Sequence, residues 1–312
     1  MMEHRQVTLS GAAGFLGRHL LRCLLDEGAN VYAITSKTRA ALQEAAGIAS
    51  NNSQLKVIAP DDIGETELAI NHSDVFINCA FPRNTDGEML AKGLSYISNL
   101  FTLASKSTSA SVINISSQSV YSQTREKEAG ENTPVCLESP YAVAKYSTEL
   151  LLNSCCQEIP HTNVRLASLI GPSFDQRALN KMIKRAMEAK ELRVTDDKSQ
   201  FGYLDVRDAV SGLLKMCRSE SRYWDETYNL GPDYSYSIPK MAEAVRKTML
   251  AKGIEVTVDV AISGDERWVN TQLDSRKFKH AFSWAPQQTL TDSINSIIDV
   301  YEKQRSGPRE LK

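Results

Sequence analysis

Ser10-Gly11-Ala12-Ala13-Gly14-Phe15-Leu16-Gly17 joins a short β-branched and apolar run, residues 6–10, to a helical pattern over 15–27. Strand, glycine turn and helix in that order are the context a phosphate cradle requires. Gly11 allows the tight turn, Gly14 lets backbone amides approach a pyrophosphate, and Gly17 lets the helix pack closely on the sheet. Phe15 and Leu16 begin the helix, whose amino terminus attracts phosphate. The spacing is G-x-x-G-x-x-G rather than G-x-G-x-x-G, and a glycine-rich turn without a ligand is the plainer alternative.

Outward from this turn, strand patterns at 6–10, 30–35, 55–59, 74–80, 111–116 and 163–170 alternate with helical ones, clearest at 15–27, 87–106 and 141–157. Such alternation predicts an α/β fold, a Rossmann-like doubly wound parallel sheet. The run Val112-Ile113-Asn114-Ile115-Ser116 alternates little, as expected of a strand covered on both faces. Right-handed crossovers then place the ligand crevice at the carboxyl ends of the strands. After Gly171-Pro172 the order loosens: helix 176–190, strand 192–195, helices 206–217 and 239–250, strand 255–260 and helix 290–304. The predicted organisation is a dinucleotide-binding domain over 1–171, with returns to the sheet from about 203–230, and a smaller mixed α/β lobe over 172–312.

Among 312 residues, 36 Lys and Arg face 38 Asp and Glu, a net charge of −2. No basic field marks a nucleic-acid or anionic-membrane partner, so an anionic ligand must meet local cations. The segment Met1-Met2-Glu3-His4-Arg5 lacks a secretory pattern, and no apolar run approaches the ~20 residues of a membrane span. The six cysteines form no C-x-x-C pair and sit mostly in apolar stretches. They read as buried free thiols of a cytoplasmic protein, with no metal site.

The end of the second strand bears on cofactor choice. An acidic residue there normally holds the adenosine ribose of NAD. Here the segment is Ile34-Thr35-Ser36-Lys37-Thr38-Arg39. Thr35 takes the acid position, and Ser36, Lys37 and Arg39 follow where a 2′-phosphate would lie. Charge-assisted contacts favour NADP; a solvated basic loop beside NAD is the alternative.

Tyr141 and Lys145 are four apart and share one face of a helix that Ser139 and Pro140 start well. An ammonium near a phenol favours phenolate, which suits acid–base work. The same spacing recurs at Tyr236 and Lys240, but Pro239 should begin a helix there and leave Tyr236 outside it. Tyr141 is set apart by Ser116 and Ser117 at the carboxyl end of the fifth strand, where ligands of open sheets bind. Turn chemistry is the simpler reading of those serines.

With these residues in place, the chain resembles the extended short-chain dehydrogenase/reductases, specifically the NAD-dependent epimerase/dehydratase family acting on nucleotide sugars. The resemblance spans nearly the whole chain, through residues 10–17, Asp62-Ile63, Asn78-Cys79-Ala80, 116–121, 141–145, Arg165, Gly171-Pro172, 203–208, 228–231, 264–267 and 284–286. It implies Ser117, Tyr141 and Lys145 as the catalytic set. It also implies Asp62 and Ile63 at the adenine, Cys79, Ala80 and Ser116 along the cofactor, and Arg83 and Arg267 at the substrate, Arg267 on its diphosphate. A homodimer is the family expectation.

Several positions depart from the family pattern. Gln118-Ser119 replaces the Asp-Glu pair of the 4,6-dehydratases, which argues against dehydration. Phe201 stands where a diphosphate-contacting arginine is usual, leaving Lys198 and Arg267. Ser168 and Gly93 replace expected asparagines, although Asn99 follows, and no Cys/His pair for 3,5-epimerisation is evident. The expected activity is an NAD(P)-dependent 4-keto-sugar reductase on a nucleoside-diphosphate sugar. A C4 epimerase retaining NAD is the alternative, followed by a reductase of other carbonyls and a dinucleotide sensor without turnover.

Overall fold

A computed structural model describes residues 2–81, 86–262 and 268–306. Strands β1 (Gln6–Ser10), β2 (Asn30–Ile34), β3 (Leu55–Ile58), β4 (Val75–Asn78), β5 (Ser111–Ser117) and β6 (His161–Leu166) alternate with helices α1 (Phe15–Asp26), α2 (Arg39–Ala46), α3 (Ile63–Asn71), α4 (Gly87–Ala104) and α5 (Pro140–Cys155). Beyond them come β7 (Ser168–Ile170), α6 (Ala178–Ala189), β8 (Glu191–Asp196), β9 (Tyr203–Asp205), α7 (Val206–Arg218) and β10 (Thr227–Leu230). Helix α8 (Ile238–Ala251), β11 (Thr257–Ile262), α9 (Arg276–Phe282) and α10 (Leu290–Ser306) follow.

The main sheet has seven parallel strands in the order β10-β6-β5-β4-β1-β2-β3. Chain order reverses between β1 and β4, which opens the ligand crevice of a Rossmann-like sheet at the strands' carboxyl ends. Leu20 and Leu24 of α1 and Leu213 of α7 pack one face with Val7 and Val31. Ile70 of α3, Phe101 of α4 and Leu152 of α5 pack the other with Phe76 and Val112. A separate core joins Ile183 of α6, Met241 of α8 and Ile294 of α10.

A polar ladder crosses the second face. Ser10, Asn78, Asn114 and Asn163 lie side by side in register on β1, β4, β5 and β6. Ser10 donates to Asn78 at 2.6 Å, Asn78 to Asn114 at 3.0 Å and Asn114 to Asn163 at 2.9 Å. All four are at most 1% exposed, so each bond satisfies a group that water cannot reach. A slip of one residue would break every rung, which makes the ladder a register lock.

The strand expected over 163–170 is two strands. At Ala167 the backbone N–H donates to Leu230 of β10, and β7 turns away to pair with β9 in a two-stranded sheet. Only the later part of 203–230, β10, therefore returns to the main sheet. Strands β8 and β11 form a third, parallel pair.

Candidate active site

The glycine turn is built as its spacing predicts. Gly11 has φ +68°, and a Cβ there would stand 2.6 Å from the Ala80 nitrogen at the end of β4. A Cβ on Gly17 would meet the Gly11 carbonyl oxygen at 2.2 Å, so α1 can seat against the turn only with glycine there. Gly14 caps α1 without a side-chain hydrogen bond, and the first turn carries no acid. Its amides and dipole end are left for an anion, which fits a dinucleotide pyrophosphate. The turn opens on a cleft of about 970 Å³ whose walls include Phe15, Leu16, Thr35, Ser36, Cys79, Ala80, Ser116, Ser117, Tyr141 and Lys145.

At the end of β2 the structure separates residues that the sequence groups together. Thr35 is buried and its hydroxyl accepts from the Lys37 amide at 3.2 Å. Arg39 is not part of a free basic loop: it opens α2 behind the Thr38 cap. Its guanidinium donates to the carbonyls of Leu55 at 2.7 Å and Asn52 at 2.6 Å, because β3 runs alongside β2. Neither Lys37 nor Arg39 lines the cleft, and nor do Asp62 and Ile63. Asp62 caps α3 by accepting from Glu65, and Ile63 is 47% exposed, while Pro60 supplies that wall.

Ser139 caps α5 and Pro140 occupies its first turn, which starts the helix so that Tyr141 and Lys145 share a face. The two side chains then part company. Lys145 is buried and donates to the Ile115 carbonyl of β5 at 2.8 Å, its ammonium 4.2 Å from the centre of the Phe81 ring. Burial holds its pKa down to about 8, against the pull of Cys79 and Glu149. Phe81 also meets Tyr141 edge-on, ring centres 5.2 Å apart. The expected phenolate-favouring effect of Lys145 is not seen. Burial raises the Tyr141 pKa, and the groups that oppose it are the Ser117 hydroxyl and the charge of Arg177. Shared helix spacing brings Cβ atoms together, but a flexible lysine goes to the best acceptor. Ser117 in turn lies 3.0 Å from the Ser119 hydroxyl and accepts from the Ser119 amide at 3.1 Å.

The sequence places Arg177 only within a helix over 176–190, whereas in the structure it is the N-cap residue of α6. It lines the same cleft as Tyr141, over the Phe174 ring at 4.8 Å, and Phe174 stacks on Phe15 at 4.1 Å. Its Nε is buried without a hydrogen-bond partner, and no carboxylate pairs with it among the described residues. Sequence could have offered one signal: an arginine just past Gly171-Pro172 at the carboxyl end of the sheet.

Phe201 stacks on Tyr203 at 5.7 Å and pairs its backbone with Tyr236, so it fills the family's arginine position with packing. Tyr236 precedes α8, whose cap is Ser237, and does not share a helix face with Lys240. Arg83 and Arg267 lie outside the described residues. Of the cysteines, Cys136 is exposed rather than buried, on the loop between β5 and α5. No described helix is long and apolar enough to cross a membrane.

The NAD dependent epimerase/dehydratase family model matches residues 7–231. The chain is 24% identical over 311 residues to the low-salt glycan biosynthesis protein Agl12 of Haloferax volcanii, covering 95% of this chain and 98% of that protein. It is 25% identical to the UDP-glucose 4-epimerase of Caenorhabditis elegans, covering 97% and 98%. The structure of the UDP-glucuronic acid 4-epimerase of Bacillus cereus, in complex with UDP-glucuronic acid and NAD, superposes with a TM-score of 0.79 at 22% identity, covering 96% and 99%. At that identity the superposition speaks for the fold alone. Together with the glycine cradle and the seven-stranded sheet, the family match leads to one conclusion: the chain belongs to the NAD-dependent epimerase/dehydratase family, within the extended short-chain dehydrogenase/reductases.

Proposed function

We propose that the protein is an NAD-dependent C4 epimerase of a nucleoside-diphosphate sugar, and that the sugar is a uronate. The observation that carries the second half is Arg177, a cation without a carboxylate partner among the described residues, whose charge reaches the Tyr141 phenol. A uronate carboxylate would supply that partner close to the reacting carbon, with a charge-assisted bond that a neutral hexose lacks. Several relatives act on or carry UDP-sugars, glucuronate among them. In this reading the dinucleotide lies along residues 1–171 and the sugar nucleotide reaches it from residues 172–312.

Bound NAD supplies a reversible hydride acceptor. Tyr141 takes the C4 hydroxyl proton as the ring carbon is oxidised and returns it when the opposite face is reduced. Ser117 holds the same oxygen; its hydrogen bond to the Tyr141 phenol and the separate charge of Arg177 both oppose, without cancelling, the upward pull of burial on that phenol. Lys145, on the cleft wall, would orient the cofactor ribose when NAD is bound. Dehydration is disfavoured because Gln118 is buried and bonded to Gln123 at 3.1 Å, with no carboxylate at 118 or 119. NAD replaces NADP in this reading because Arg39 is committed to backbone carbonyls.

The test is to assay UDP-glucuronate and UDP-glucose with NAD and identify products by NMR. Arg177→Met should raise KM for the uronate by about 30- to 100-fold and leave a neutral sugar nearly unchanged. Equal effects on both would remove the uronate from the reading. Reduction of a 4-keto sugar by NADPH, with no epimerisation, would restore the reductase.

A homodimer belongs to the same reading. Helix α5 presents Val143 at 45% and Leu150 at 53% exposure, a surface suited to a second copy.

A further inference from the structure

Behind the reacting face lies a second layer of charge that the reaction above does not use. Tyr141, Lys145 and Glu149 follow one another at spacings of four along α5, so they stack on one side of the helix. Glu149 is 2% exposed and accepts a very short hydrogen bond from Ser116, a cleft-lining residue of β5. Its carboxylate also receives Arg165 of β6, from Nε at 3.1 and 3.2 Å and from Nη2 at 2.7 Å. Arg165 continues to the Tyr121 hydroxyl at 2.9 Å, which donates to Asn229 at 2.9 Å. Asn229 donates to the Ala129 carbonyl at 2.9 Å. Each member is buried and each bond is satisfied, so the chain is stiff.

The groups that face Lys145 come from four elements. They are Glu149 on its own helix, Cys79 and Phe81 after β4, the Ile115 carbonyl of β5, and Arg165 of β6 through Glu149. Cys79 is a neutral thiol, its pKa pushed up to about 12 by burial. Glu149, one turn further along α5, is therefore the anion whose charge opposes the effect of burial on Lys145.

We propose that Glu149 is a positioning residue for epimerisation: it fixes Ser116 on the cleft wall and supplies the counter-charge that keeps Lys145 protonated. Arg165 stops that carboxylate from being an isolated buried charge and aims it at both partners. The inference rests on the epimerase reading and extends it to a residue that touches neither cofactor nor sugar.

Glu149→Gln keeps the shape but leaves Arg165 as an uncompensated cation behind Lys145. Like charge at short range disfavours a second cation, so Lys145 should lose its proton at lower pH. The alkaline limb of kcat should move down by about one pH unit or more, with KM for the sugar changed less than about twofold. The double variant Glu149→Gln with Arg165→Met also removes the uncompensated cation and should bring the limb part of the way back, still below wild type because the Glu149 counter-charge is gone. A purely structural role predicts the opposite, since two lesions in one buried network would be no better than one. If Glu149→Gln does not fold, Glu149→Asp keeps the charge, and its limb should stay in place while kcat falls. A limb unmoved in folded Glu149→Gln, or displaced in Glu149→Asp, overturns the proposal. NAD affinity of the wild type, measured by calorimetry without turnover, separates this failure from that of the epimerase reading: if wild type binds no NAD, that reading falls and takes this inference with it.

Discussion

The Lys145 ammonium lies 4.2 Å from the centre of the Phe81 ring, and both side chains line the cleft, so the ring is placed to screen the ammonium from water there. A buried ammonium loses its proton more easily, and the pKa of Lys145 is accordingly held down to about 8. Phe81→Ala should admit water and let the pKa climb toward the ordinary value. Activity that depends on protonated Lys145 is lost as pH rises through that pKa. The alkaline limb of the variant should therefore lie higher than in wild type, by on the order of one pH unit. A pH–kcat profile decides it, and an unmoved limb would show that the ring is not the screen.

Tyr141→Phe should lower kcat by about 10²- to 10⁴-fold while NAD affinity stays within about twofold, because the phenol acts in the transition state and its ring keeps its volume. Tyr236→Phe should change neither. Steady-state rates and calorimetry on both variants provide the check, and a tenth of wild-type activity left in Tyr141→Phe would remove the proton from that residue.

Arg39→Ala should act on stability rather than on cofactor choice. It deletes two bonds that tie α2 to the chain entering β3. At an exposed site this costs about 0.5–1.5 kcal/mol, visible as a lower urea midpoint. The ratio of NAD to NADP affinity should not move. Lys37→Ala carries the remaining test of a 2′-phosphate contact: if NADP affinity falls tenfold and NAD affinity does not, that loop reads phosphate after all.

Asn114→Leu should be among the most damaging single changes in the sheet. Asn114 donates to both Thr148 and Asn163 and accepts from Asn78, all in a dry interior. Removing it strands partners on two strands and a helix, at a cost of about 2–4 kcal/mol. Chemical denaturation followed by circular dichroism measures this. A loss under about 1 kcal/mol would mean that the rungs are replaceable by packing.

Local rules made much of the architecture legible. The glycine turn, the Ser139-Pro140 start of α5 and the Pro239 break before α8 depend on neighbours within a few residues, and each forms as read. What escaped depends on partners far along the chain. Arg39 reads as a phosphate ligand until β3 is laid beside it, and Lys145 reads as Tyr141's partner until the Ile115 carbonyl is nearby. The break at Ala167 exists because Leu230 offers it a carbonyl. Arg177 falls inside the helical pattern over 176–190, and that pattern gives no sign that its Nε is left buried without a hydrogen-bond partner. The three asparagines inside apolar strands were visible, but only pairing in register reveals that they bond to one another.

Strand β10 has a consequence for how the molecule is made. It lies on the outer edge of the sheet against β6, yet it is translated after β7, α6, β8, β9 and α7. A nascent chain that has just released Leu166 therefore carries β6 with a bare edge, and the ribosome must deliver residues 227–230 before that edge is covered. A fragment ending near Ile170 would keep the glycine cradle and Tyr141 but present β6 as a template for other chains. Expression of such a piece should yield aggregates, whereas a chain running through Leu230 closes the sheet.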